Sequence, residues 1–301
     1  KVLSAAAILA LSAGAAHAQI SGNVVKIGVL NDQSSLYADL SGQGSVLAAR
    51  MAIEDFGAAK KGIKTEVIFA DHQNKADVGS QIANKWYDAE GVDVIVDTPN
   101  SGVALAVNQI TKDKKKAFLV SGAATADLSG KACSPNTLHW TYDTWMLANG
   151  TGNAIVKTGG DSWFFLTADY AFGHALERDT EAVVLKNGGK VTGKVRHPFP
   201  TADFSSFLLQ AQSSKAKVIG LANAGADTIN RSAPATPGNQ PSFVLADFAI
   251  ADVTLSQPWN TQALVLDFGG GDSLSFNGGF LDGGQVYEFA DGTLNQQQLM
   301  Q

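Results

Sequence analysis

The residues able to do covalent chemistry are few and scattered, and their spacing excludes more than it supports. His72, His139, His174 and His197 form neither a His-Glu-x-x-His pair nor a close cluster, so the ligand spacing of a zinc site is missing. No G-x-S-x-G elbow is present to activate a serine. Cys133 is the single cysteine, with no base beside it in the sequence to draw off its proton and no partner for an intrachain disulfide. "SGQGSVLAA" (41–49) has the look of a dinucleotide loop but lacks the third glycine of G-x-G-x-x-G. What remains is the chemistry of binding. "KIGVLNDQSSLYADLSGQGSVLAARMAIEDF" (26–56) runs from an apolar strand through a polar Gly- and Ser-rich loop into an amphipathic helix. Open α/β sheets build ligand crevices this way, because the helix N-terminus presents unpaired backbone N–H groups there.

The elements that position such loops follow one rhythm. "VVKIGVL" (24–30), "TEVIFAD" (65–71), "VDVIVDT" (92–98) and "AFLVSG" (117–122) read as strands. They alternate with helical stretches at 44–56, 76–90 and 102–113, so the sheet should be parallel. After a polar stretch (121–137) the rhythm restarts. Strands are expected at "SWFFLT" (162–167), "KVTGKVRHP" (190–198) and "KVIGLAN" (217–223), with helices between them. Two consecutive α/β units, each with its own sheet, imply two lobes and a cleft where a small ligand binds. From about 232 the rhythm stops. "RSAPATPGNQP" reads as a linker, and short apolar runs separated by "GGGD", "NGG" and "DGG" read as strands joined by tight turns.

The chain opens "KVLSAAAILALSAGAAHAQ", with a Lys, an apolar run and then Ala16-His17-Ala18. This is the plan of a secretory signal peptide, expected over 1–18. Its apolar core, residues 5–15, is shorter than the ~20 residues a membrane span needs. No initiator Met precedes it, and an incomplete N-terminus is expected. At 45% hydrophobic and 17% charged, the remainder is globular in composition. All 22 Lys and Arg and all five His lie at or before Arg231, whereas 232–301 carries only acids. Such a break marks a domain boundary or a join between unrelated sequences. No basic stripe exists to neutralise phosphates, which disfavours nucleic acid as a partner.

Together, the 26–56 word, "ADHQNKADVGSQIANKWYDAEGVDVIVDTPNSGVALAVNQI", "FLVSGAATADLSGKACSPNTLHWTYDT" and "FFLTADYAFGHALERD" resemble the type I periplasmic solute-binding proteins of ABC importers, the branched-chain amino acid-binding family. The resemblance covers about 22–231. It implies an α/β fold of two Rossmann-like lobes, each represented by its first half. The first lobe is placed at 22–121, a crossover at 122–137 and the second lobe at 138–231. It also implies a periplasmic protein that captures a small solute, an amino acid or organic acid, and delivers it to an inner-membrane permease without catalysis, cofactor or resident metal. The site residues implied are Ser101 and Gly102 in "TPNSGVAL", where Gly102 stands in for a second serine and leaves only its N–H. "SGAAT" gives Ala123 and Thr125, through a carbonyl and a hydroxyl, and Tyr37 closes the cleft from the opening loop. The second lobe offers Phe172, Tyr142, Asn223 and Asp227, the last in the region that supplies an acidic partner for a ligand amine. Each has a plainer reading: Ser101 as a helix N-cap, Phe172 and Tyr142 as core aromatics, Asp227 as a solvated cap.

After 231 the resemblance is not continued. Residues 232–262 read as linker and β segment, and 263–301 resembles the β-rich segment associated with haemolysin-type calcium-binding (RTX) proteins. The full nonapeptide repeat is absent, so Asp272 and Asp282 read more readily as turn residues than as calcium ligands. The alternative function is a non-transporting secreted fusion protein whose acidic β-rich tail mediates calcium-dependent or surface interaction.

Overall fold

A computed structural model describes residues 23–225, 227 and 228, and beyond them the backbone of six strands. The expected signal segment, the linker residues 232–241, Asp272 and Asp282 lie outside the described residues.

The first sheet contains β1 (Val25–Asn31), β2 (Thr65–Asp71), β3 (Val94–Asp97), β4 (Ala117–Val120) and β5 (Thr137–His139), in the order β2-β1-β3-β4-β5. Every pairing is parallel. Parallel neighbours need crossovers, and α1 (Gly42–Phe56), α2 (Ala76–Asp88) and α3 (Ser101–Lys114) supply the first three. Ala83, Trp86 and Tyr87 of α2 and Val103, Ala104 and Val107 of α3 share one buried core with Ile95, Phe118 and Val120 of the sheet. The strand period of two turns Leu119 to the opposite face. There Leu119 and its register partner Leu138 stay exposed. β5 differs from the sequence reading, which begins the second lobe at 138. Phe118 N–H bonds Asn136 O at 2.9 Å and Trp140 N–H bonds Val120 O at 2.8 Å, so 137–139 completes the first sheet.

The chain then enters the second lobe through α4 (Thr144–Leu147), one π-helical turn (Ala148–Gly152) and α5 (Asn153–Lys157). β6 (Ser162–Ala168), α6 (Ala171–Lys186), β7 (Lys190–His197), α7 (Ser205–Ser213) and β8 (Val218–Ala222) follow. β6 and β8 are buried along their whole length, as expected of parallel strands covered on both faces. α6 starts against the end of β6. A Cβ at Gly173 would lie 2.1 Å from the Ala168 carbonyl oxygen, so only glycine permits this approach.

β9 (Ser242–Leu245) lies in the stretch read as linker and β segment. It pairs in parallel with β8, in the order β7-β6-β8-β9, and so extends the second lobe's sheet beyond Arg231. β10 (Asp252–Leu255), β11 (Ala263–Asp267), β12 (Ser273–Asn277), β13 (Tyr287–Phe289) and β14 (Gly292–Leu294) continue that sheet as successive antiparallel neighbours.

Candidate functional site

The loop after β1 is organised by one carboxylate. Asp32 is fully buried and accepts the backbone N–H groups of Ser34 (3.3 Å), Ser35 (2.9 Å) and Tyr37 (2.7 Å). It also accepts the Ser35 hydroxyl (2.8 Å) and the Asn74 amide (2.5 Å). This fixes Tyr37, itself buried, at the first lobe's edge. Beneath the loop, Asn31 Nδ2 donates to Asp97 Oδ2 at 3.0 Å. Burial raises the Asp97 carboxyl above the usual carboxylate range. Burial also pushes the neighbouring His72 imidazole down to about 4, against the opposing pull of Asp32 and Asp71.

At the end of β3 the backbone enters the left-handed region twice in succession, at Asp97 (φ 76°) and Thr98 (φ 61°). A β-branched residue there is strained, and such strain gathers at functional sites. The helix that follows is capped by Asn100, whose Oδ1 accepts the N–H groups of Gly102 (2.9 Å) and Val103 (3.1 Å). The N-cap reading of Ser101 is therefore wrong, since Ser101 is the first helical residue. The Gly102 N–H, expected to face the ligand, is donated to the cap. Ser101 Oγ accepts the Thr125 N–H at 3.3 Å, and Thr125 Oγ1 accepts the Asp127 N–H at 3.3 Å. Each hydroxyl thus keeps a proton to donate. Thr125 precedes only a short 3₁₀ turn, Ala126–Leu128, rather than a full helix. The Ala123 carbonyl accepts His139 Nε2 at 2.7 Å.

From the second lobe, Phe172 and Tyr142 join Tyr37, Ala124, Leu147, Leu176, Ala222 and Ala224 in one apolar cluster between the lobes. Two further residues, missed in the sequence, complete it: Tyr170 and Phe199. Their rings stack at 4.1 Å and 14°. Phe199 lies 5.7 Å from the Tyr37 ring, and the Tyr37 and Tyr170 hydroxyls are hydrogen-bonded to each other. The register explains the stack. Ala168 of β6 pairs with His197 of β7, so Tyr170 and Phe199 each lie two residues beyond a paired position. Gly225 brings second-lobe backbone against Tyr37, for a Cβ there would stand 3.0 Å from Tyr37 Cε1.

Asn223 lies between Ala222 and Ala224 of this cluster, and Asp227 follows a short way along the chain. Asn223 Oδ1 accepts the Thr228 hydroxyl at 2.7 Å. Asp227 is fully buried rather than a solvated cap, accepts the Thr201 N–H at 3.5 Å and stands 3.9 Å from His197 Nδ1. Among the described residues no three His, Cys, Asp or Glu gather to hold a metal, and no helix is long and apolar enough to cross a membrane. Cys133 is exposed.

Residues 24–257 match the family described as periplasmic binding protein. The chain belongs to this family. A periplasmic binding protein of Burkholderia mallei is 55% identical, with a TM-score of 0.67, over 69% of this chain and 56% of that one. A branched-chain amino acid ABC transporter periplasmic ligand-binding protein of Burkholderia xenovorans LB400 is 40% identical, with a TM-score of 0.57, over 69% and 55%. Leu/Ile/Val-binding protein homolog 6 of Brucella abortus (strain 2308) is 26% identical over 216 residues, 71% of this chain and 54% of the relative. These likenesses place the periplasmic binding protein in the type I fold and the branched-chain amino acid group. The family match runs past 231 and takes in β9. The chain spans about half the length of the curated relatives it matches. The family is one of solute-binding proteins, and membership implies an exported, periplasmic protein.

Proposed function

We propose that this chain is the solute-binding component of an ABC importer, taking an amino acid or small organic carboxylate between its lobes and offering the closed form to an inner-membrane permease. The observation that carries this reading is the Tyr37–Tyr170 hydrogen bond within an apolar cluster drawn from both lobes. A solute lodged beside it touches both lobes only when they are closed, so binding selects that state. The Ser101 and Thr125 hydroxyl protons, at the start of α3 and next to Ala124 of the cluster, are the donors offered to an anionic group.

Thermal unfolding of the purified chain against amino acids, small organic acids and calcium tests the reading. A solute present at a hundredfold excess over its dissociation constant should add about 2.7 kcal/mol of stability. Failure of every organic solute to raise the midpoint overturns it, and a shift with calcium alone points to the acidic tail instead.

A further inference from the structure

Resting on that reading, we infer that Arg178 and Asp179 of the second lobe are positioning residues for the solute loop of the first, residues 123–125 and the short turn that follows. The backbone of this loop is bonded to the second lobe. The Ala124 carbonyl accepts the Thr144 N–H at 2.8 Å, and the Ala126 N–H is donated to Thr144 Oγ1 at 3.0 Å. Thr144 is fully buried, and its hydroxyl proton goes on to Asp179 Oδ2 at 2.6 Å. Asp179 Oδ1 accepts the Arg178 Nε proton at 2.8 Å, and Arg178 Nη2 reaches Asp127 Oδ1 at 3.2 Å. The contacts form a closed circuit, running from the first lobe's turn through α4 and α6 of the second lobe and back.

α6 carries this circuit to the cleft. Phe172, Leu176 and Asp179 recur at intervals of four and three along it, which places them on one helix face. Phe172 and Leu176 belong to the apolar cluster between the lobes, so the polar bridge continues that seam one turn further along the helix. The side chains of Asp127 and Asp179 are each only 14% exposed, against 49% for Arg178. An isolated surface pair contributes little. A guanidinium shared by two shielded carboxylates, one of them also holding a buried hydroxyl, is specific in geometry. Lys131 pairs with the other Asp127 oxygen at 2.9 Å from within the first lobe, so loss of Arg178 leaves Asp127 paired inside its own lobe. When the lobes part, α6 withdraws the Thr144 hydroxyl's acceptor and the Asp127 guanidinium together. The turn after Thr125 is then set in place as the lobes close, and with it the Thr125 hydroxyl offered to a solute.

Two measurements on the full chain without solute test the inference. Amide hydrogen exchange reads the loop. Pulsed electron resonance between spin labels on Cys133 and on Lys186→Cys, both exposed positions, reads the separation of the lobes. Arg178→Gln should speed exchange of the 124–128 amides about tenfold, as for loss of a hydrogen bond to a charged group, while β1 and β3 keep their protection. It should also lengthen and broaden the label separation. Thr144→Val should speed exchange at Ala126 at least as much, and Thr144→Ser, which keeps the hydroxyl, should match the parent. Unchanged 124–128 exchange or an unchanged label separation in Arg178→Gln overturns the inference. So does equal acceleration across the whole first sheet, or a Thr144→Ser variant that behaves as Thr144→Val does. None of these readouts uses a solute, so their failure is distinct from failure of the solute panel.

Discussion

Tyr37 of the first lobe and Tyr170 of the second are hydrogen-bonded hydroxyl to hydroxyl, and the Phe199 ring lies against both. Because this bond joins the lobes, Tyr37→Phe and Tyr170→Phe should each bias the protein towards the open form. Small-angle scattering should then show a larger radius of gyration in the absence of solute. The two changes remove one bond, so the double variant should be no more open than either single one. A double-mutant cycle on unfolding should return a coupling of about 1 kcal/mol. Additive effects would mean the hydroxyls act separately.

Asp32 tests what holds the opening loop. Its replacement by Ala leaves the Tyr37 and Ser35 N–H groups without their acceptor. Urea denaturation should show a loss of about 2–3 kcal/mol, as for hydrogen bonds to a buried charged group. Loss below about 0.5 kcal/mol would mean water replaces the carboxylate and the loop is not anchored by it.

At the start of α3, cap and site belong to neighbouring residues. Asn100→Ala should lower stability by about 1 kcal/mol, the usual value of an N-cap. Ser101→Ala should affect unfolding less and should weaken the best solute of the panel about tenfold, by loss of a donor to its carboxylate. The two measurements, unfolding and titration, should therefore rank the variants in opposite order.

The buried His72 sets a pH dependence. Its imidazole titrates at about 4 in the folded chain, against an ordinary value of 6.5. As pH falls through 6.5 the unfolded chain takes up the proton first, so stability is lost between about 6.5 and 4 and is fully present above that window. The loss should approach about 3 kcal/mol. Asp97 works the other way, because its raised carboxyl binds a proton more readily in the folded state. The comparison is therefore between the parent and His72→Gln, whose unfolding free energy should fall less steeply between pH 7 and 4.5. Parallel slopes would show that His72 contributes nothing.

The repeating strands and helices between 24 and 223 were legible because parallel sheets demand crossovers and α2, α3 and α6 show their buried faces in the sequence, whereas α1 leaves Leu47, Met51 and Phe56 exposed. The pairing of β9 with β8 was not, since the loss of basic residues after Arg231 coincides with a Pro- and Gly-rich stretch that reads as a linker. Tyr37, Tyr142 and Phe172 could be picked out one by one. Tyr170 and Phe199 could not, because their meeting depends on the β6–β7 register, which joins positions 29 residues apart. Equal offsets of two aromatic residues from the ends of neighbouring strands were the available signal. The cap at Asn100 rather than Ser101 was hidden for another reason: adjacent Asn and Ser are both good N-caps, and only the helix's first turn decides between them.

The Tyr37 loop is tied down by Asp32, a residue of the loop itself. Its backbone freedom, about 1–2 kcal/mol per residue, is lost when the chain folds and not when a solute arrives. Recognition on that side of the cleft therefore begins from a formed surface, and weak contacts with a small molecule are not offset by the ordering of the residues that make them.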